Sequence, residues 1–166
     1  MKRRTVAWWA VVAAVALMTS AALADGIGKN VKKRLAGQVL ITSKALPTGL
    51  DDNNATVKKY QSMVVKEVKH EMVQGIPTWS FHYTAFLKTA PKTSNLAFDF
   101  YTTDKKPLYV ADKRFTGVDP NLTILSGVLT INEDDNVNKG RTYTIKLTGK
   151  VKGKEKVFAT TTLTFK

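Results

Sequence analysis

The chain has no cysteine among its 166 residues. That absence excludes disulfides, thiolate catalysis, cysteine-ligated metals and lipid attachment through an N-terminal cysteine. Histidine is nearly as scarce. His70 and His82 are the only two, so a typical zinc site lacks its donors. No Gly-x-Ser-x-Gly elbow occurs, and no serine has neighbours that suggest a base, which leaves nucleophilic catalysis without a motif. Glu67 and Glu71 fall on one face of a strand among lysines, where cross-strand ion pairing accounts for them better than acid–base chemistry. The sequence therefore reads as a non-enzyme. Negative charge is the scarce sign: 13 Asp+Glu stand against 26 Lys+Arg, a formal charge of +13. Arginine is scarce too. Beyond the first four residues only Arg34, Arg114 and Arg141 occur. The planar guanidinium is the usual reader of phosphates and base edges, so a lysine-borne excess argues against dedicated nucleic-acid recognition. It fits a lysine-coated surface, or contact with an acidic polymer, an anionic membrane surface or a protein partner.

What is present begins with a leader. Met1–Arg4 is basic, Val6–Leu17 is an unbroken apolar run, and Ala22-Leu23-Ala24 supplies the small residues that signal peptidase reads. Residues 1–24 are thus expected to form a secretory signal peptide cleaved after Ala24, which sends the mature chain to the periplasm or outside the cell. The apolar core is short for a membrane span of about 20 residues. The next segment, 25–34, is polar, basic and glycine-containing, and reads as a flexible N-terminal arm. Residues 35–166 are read as one domain.

That domain is organised around Met63–Leu87, where two runs of alternating apolar and polar residues flank a Gly/Pro turn. Alternation with period two sends side chains to opposite faces, so the segment predicts a β-hairpin. With the turn at Gln74–Pro77, Met72 faces Trp79, His70 faces Phe81 and Val68 faces Tyr83, while His82 lies on the other face with Lys69. Val57–Gln61 also carries helical spacing and stays open between helix and strand. Further strands are expected at 35–43, 96–102, 108–115, 122–131, 141–151 and 156–165. In the last of these Val157, Ala159, Thr161, Leu163 and Phe165 form one side. Eight short strands with turn residues between them and no helical segment predict an all-β antiparallel sandwich.

The segment Asp135-Asn136-Val137-Asn138-Lys139-Gly140-Arg141-Thr142-Tyr143 resembles the corner of immunoglobulin-like domains. There a loop with Asp and Gly leads into a strand bearing a tyrosine. The resemblance implies that the Tyr143 hydroxyl bonds back to loop backbone. It speaks to architecture alone, since such sandwiches host many functions.

Two sets of residues carry the functional expectations. Lys150, Lys152, Lys154 and Lys156 concentrate charge at one hairpin tip and form the candidate binding patch. Glu133, Asp134, Asp135, Asn136 and Asn138 form an oxygen-rich loop, as does Asp51-Asp52-Asn53-Asn54, and either set suits calcium in donor type. Asp and Asn are equally ordinary turn residues. The expectation is an extracytoplasmic, non-catalytic binding or accessory protein, with a small enzyme or calcium-dependent module as the alternative.

Overall fold

The structure is a computed structural model that describes residues 26–166. The expected leader and its cleavage point lie outside the described residues.

The segment expected to be a flexible arm is ordered. Lys29–Leu35 forms a helix, α1, that buries Val31 and Leu35, and Ile27 is buried just before it. Ile27, Val31 and Leu35 recur every four residues, one face of a helix, and the intervening lysines conceal that stripe from a compositional reading. A second helix, α2, covers Asn54–Ser62 and buries Val57 and Tyr60. The helical alternative therefore holds at Val57–Gln61.

Nine strands follow the chain as β1 Gln38–Thr42, β2 Glu67–Val68, β3 Glu71–Val73, β4 Ile76–Phe86, β5 Leu96–Thr102, β6 Tyr109–Phe115, β7 Ile124–Asn132, β8 Thr142–Val151 and β9 Lys154–Phe165. They form one sheet, read across as β7, β4, β1, β9, β8, β5 and β6, with β3 beside β4 and β2 beside β9. The all-β class stands. The sheet is mixed rather than wholly antiparallel, because β1 and β2 both run parallel to β9. It curls into a half-barrel, and the immunoglobulin-like arrangement does not follow from this topology.

The curl is visible in the core. Tyr83 on β4 and Phe98 on β5 belong to strands that do not pair, yet their rings meet edge to face at 4.9 Å. Phe165 of β9 is also in ring contact with Trp79 and Phe81 of β4, Phe100 of β5 and Tyr143 of β8. A second, smaller core lies on the outside of the sheet, where α1 and α2 cover Leu40, Phe86 and Ile124.

The central hairpin is real but shorter and tighter than the alternation predicts. Val73 pairs with Ile76 and Met72 with Pro77, around the two-residue turn Gln74-Gly75 with φ of 52° and 83°. Paired positive φ values match the twist of the flanking strands. The two-residue shift in register preserves the faces of β4, so Trp79, Phe81, Tyr83 and Ala85 are buried as expected. The other arm is not sustained. Because 54–62 is helical, the chain reaches β4 only at Glu71, β1 takes the neighbouring place, and Met72 and Val73 stay exposed.

In β9 the expected face breaks near its start. Between the Leu147–Ala159 and Thr148–Val157 pairs β9 carries one unpaired residue, Phe158, a bulge that leaves Val157 on the solvent side and Phe158 in the core, while Ala159, Leu163 and Phe165 keep their places. One extra residue reverses the alternation beyond it. At Gly127, opposite Tyr83, a Cβ would stand 2.9 Å from the tyrosine hydroxyl, so glycine makes room for the buried ring.

Candidate functional site: the basic end of the sheet

The strand directions give the sheet two ends. One carries the β8–β9 turn, the tip end; the other carries the loop from Asn132 to Tyr143, the corner end. At the tip, Lys152-Gly153 closes the hairpin with φ of 51° and 78°. Lys150 pairs with Glu155, Val151 with Lys154 and Gly149 with Lys156. Directly opposed residues share a face, so Lys150 and Glu155 lie on one side, Lys154 and Lys156 on the other, and Lys152 caps the turn. The four predicted lysines are together in space but do not line a single face.

Other parts of the chain converge on this end. Lys156 Nζ donates to Thr89 Oγ1 at 2.9 Å, and the Lys88 amide donates to the Phe158 carbonyl at 3.2 Å, which ties residues 88–89 to the start of β9. Gly149 packs so close to Asn95 and Leu96 that a Cβ would meet the Leu96 side chain at 2.7 Å. The loop after β4 therefore brings Lys88 and Lys92 beside the tip. Lys92 is itself fixed, its Nζ donating to Asn121 Oδ1 at 2.9 Å. The side chains of Lys150, Lys152 and Lys154 form no hydrogen bond or ion pair among the described residues, and all three are exposed. Glu155 opposes Lys150 across the hairpin, and Asp99 lies within electrostatic range of Glu155. Sequence reasoning found the tip but not Lys88 and Lys92, because their proximity depends on tertiary packing.

At the corner end the acidic loop is occupied by its own backbone and neighbours. Asp135 forms an ion pair with Lys113 of β6 at 2.7 Å and accepts the Asn132 amide at 2.9 Å. Glu133–Asp135 makes one 3-10 turn, ended by Asn136 with φ of 64°. The Asn138 side chain reaches the Asn136 carbonyl, and the Asn138 amide donates to the Tyr143 hydroxyl at 3.0 Å. Tyr143 is thus bonded back to the loop as the corner resemblance implies. Glu133 and Asp134 are exposed. No group of three or more His, Cys, Asp or Glu side chains suited to a metal occurs among the described residues.

The other polar loop caps both helices. The Asp52 carboxylate accepts the Asn30 and Val31 amides at 3.0 and 2.9 Å, and these bonds hold its pKa below the ordinary value. Asn53 accepts the Thr56 amide at 3.1 Å, at the N-cap of α2. The histidines lie apart. His70 Nδ1 meets the Lys166 carbonyl at 3.0 Å beside Trp79, and His82 sits in β4 between Thr42 and Val128.

One cluster escaped sequence reading. Asp99 of β5 and Asp112 of β6 stand directly opposite each other. Asp99 is buried and accepts from Thr148 Oγ1 at 2.6 Å; burial, with Asp112 and Glu155 nearby, raises its pKa. Asp112 accepts from the Tyr109 hydroxyl and from Arg114 Nε, and those bonds lower its pKa. The alternation of 96–102 placed Asp99 on the outer face, but only the β5–β6 register reveals its partner. Compared with protein-family models, curated proteins and solved structures, the chain has no match.

Proposed function

We propose that this chain is a secreted or periplasmic, non-catalytic binding protein that docks an acidic polymer through the tip end of its sheet. The observation that carries the reading is that Lys150, Lys152 and Lys154 are exposed with unpartnered side chains, while the Lys156–Thr89 and Lys88–Phe158 hydrogen bonds bring the loop that carries Lys88 and Lys92 to the same end of the sheet. Lysines without intramolecular partners present charge to solvent, and a cluster of one sign raises the local concentration of a counter-charged chain. A membrane surface with anionic headgroups or an acidic protein would be met by the same electrostatics. Export is proposed on the leader motif of residues 1–24. A likeness to immunoglobulin-type scaffolds rests on the Tyr143 corner alone.

The test is retention on a sulfated polyanion such as immobilised heparin, and on vesicles of phosphatidylglycerol, as salt is raised. Replacing Lys150, Lys152, Lys154 and Lys156 with Gln should lower the salt needed for elution and flatten the salt dependence. Elution of the variant at the same salt as the original chain would sink this reading. Retention on vesicles but not on heparin would replace the polymer with a lipid surface.

A further inference from the structure

The lysine coat is interrupted on the outer face of β5, β8 and β9. Thr142 of β8 pairs with Thr164 of β9, their hydroxyls 2.8 Å apart, and Thr144 pairs with Thr162. Thr160 continues the row opposite Lys146. Their chain neighbours Tyr143, Ile145, Leu163 and Phe165 are buried, so alternation sends these threonines outward. Strand geometry spaces such hydroxyls about 4.8 Å apart across the sheet and about 6.8 Å along it. Each offers one donor and two acceptor positions. Thr160 and Thr162 are exposed, and the helices cover a different part of the sheet.

The ladder is bordered by groups that add hydrogen bonding without net charge. Lys146 Nζ lies over the Tyr101 ring, 4.0 Å from its centroid, so this ammonium is drawn back against the sheet. Arg114 is paired with Asp112 at 2.6 Å. The Tyr109 ring, 54% exposed, stands edge to face with Tyr101. Facing carboxylates such as Asp99 and Asp112 are unfavourable in a sheet, yet here each has its own donor, Thr148 for the buried Asp99, and Tyr109 and Arg114 for Asp112. At the corner end the ladder meets an open pocket of about 320 Å³ lined by Thr102, Thr103, Arg141 and Thr142, which extends the run of hydroxyls past the strand ends.

We infer that this face binds a linear, uncharged polysaccharide lying along β8 and β9. On a chain of net charge +13, a charge-balanced, hydroxyl-rich sheet face complements an uncharged polyol chain and not a polyanion. The outward threonine hydroxyls would exchange hydrogen bonds with sugar hydroxyls, while Tyr109 covers apolar ring edges at the flank. The inference is independent of the basic end and would survive its failure.

The experiment uses the full chain in about 1 M NaCl, where screening extends only roughly 3 Å and the lysine tip is silenced. Native gels containing dextran, hydroxyethylcellulose or a soluble β-1,3-glucan measure retardation. At least one polysaccharide should retard the chain, and Thr162→Lys or Thr144→Lys should weaken the affinity by about tenfold or more. Amide shift mapping on the unsubstituted chain does not depend on how the variants fold, and its shifts must centre on β8 and β9. The inference is overturned if no polysaccharide in the panel retards the chain. Unchanged affinity in the folded variants, or shifts centred elsewhere, overturns it equally.

Discussion

The two ends of the sheet use polar residues in opposite ways. At the corner end a connected set of polar groups is spent within the molecule, although Glu133, Asp134, Lys139 and Arg141 stay exposed. Asp135 joins Lys113 to the Asn132 amide, Tyr143 holds Asn138, and the Lys166 carbonyl accepts from Trp79 Nε1 and from His70. At the tip end Lys150, Lys152 and Lys154 are spent on nothing. Groups that are partnered hold a fold, whereas unpartnered charges of one sign are available to something else. In the corner loop, which suits calcium in composition, the Asp135 carboxylate is already held by Lys113 and the Asn132 amide, whereas Glu133 and Asp134 stay exposed. The same difference separates Asp52 and Asn53, which cap helices, from the exposed lysines.

If that contrast is right, substitutions at the corner end cost stability and leave polyanion binding alone. Trp79→Ala should have the largest effect, a loss of about 3–5 kcal/mol, because it removes a fully buried ring packed on Phe165 and the bond to the Lys166 carbonyl. Urea unfolding measures it; a loss below the range of ordinary core truncations would mean the corner end is looser than its contacts. Tyr143→Phe removes only a hydroxyl and leaves the Asn138 amide unpaired, for which about 1–2 kcal/mol is expected. A neutral result would mean that the corner bond is ornamental and the loop is held by Asp135.

Between the ends, Asp99 gives a prediction in pH. Its pKa in the folded chain is raised, so folding favours its protonated form. The associated stabilisation is full below the unfolded value of about 3.9 and is lost as pH rises through the folded value. Asp99→Asn should therefore raise the melting midpoint at neutral pH, and the gain should vanish in acid. Asp52, Glu67 and Asp112 have the opposite sign, since their lowered values give stability that disappears as pH falls. A gain from Asp99→Asn that persisted unchanged into acid would remove electrostatics as its cause.

The smallest expected effect is at the tip. Changing Lys150, Lys152, Lys154 and Lys156 to Gln should move the melting midpoint hardly at all, since only Lys156 makes a bond, to Thr89. A large fall would show that these lysines serve the fold and would erase the contrast between the ends.

Much of this was legible from local pattern. Period-two alternation identified β4 and β5, because one buried face forces it, and residues 96–102 matched their strand from end to end. The Asp-to-Tyr143 corner was readable because its hydrogen bond spans only five residues. The stripe Ile27, Val31 and Leu35 was present but diluted by lysines, and helix α2 competed with β-branched residues for the same pattern. The register of Asp99 against Asp112, and the approach of Lys88 to Lys156, left no local trace.

The sequence by itself determined the all-β class, the inward faces of most strands and the lysine-dominated charge, since side-chain period and composition are local properties. Only the tertiary structure decided which strands are neighbours, that β1 and β2 run parallel to β9, and where the bulge moves Phe158 inward. Those choices depend on contacts between residues far apart in the chain. Period-two alternation says which way a side chain points but not what it will meet.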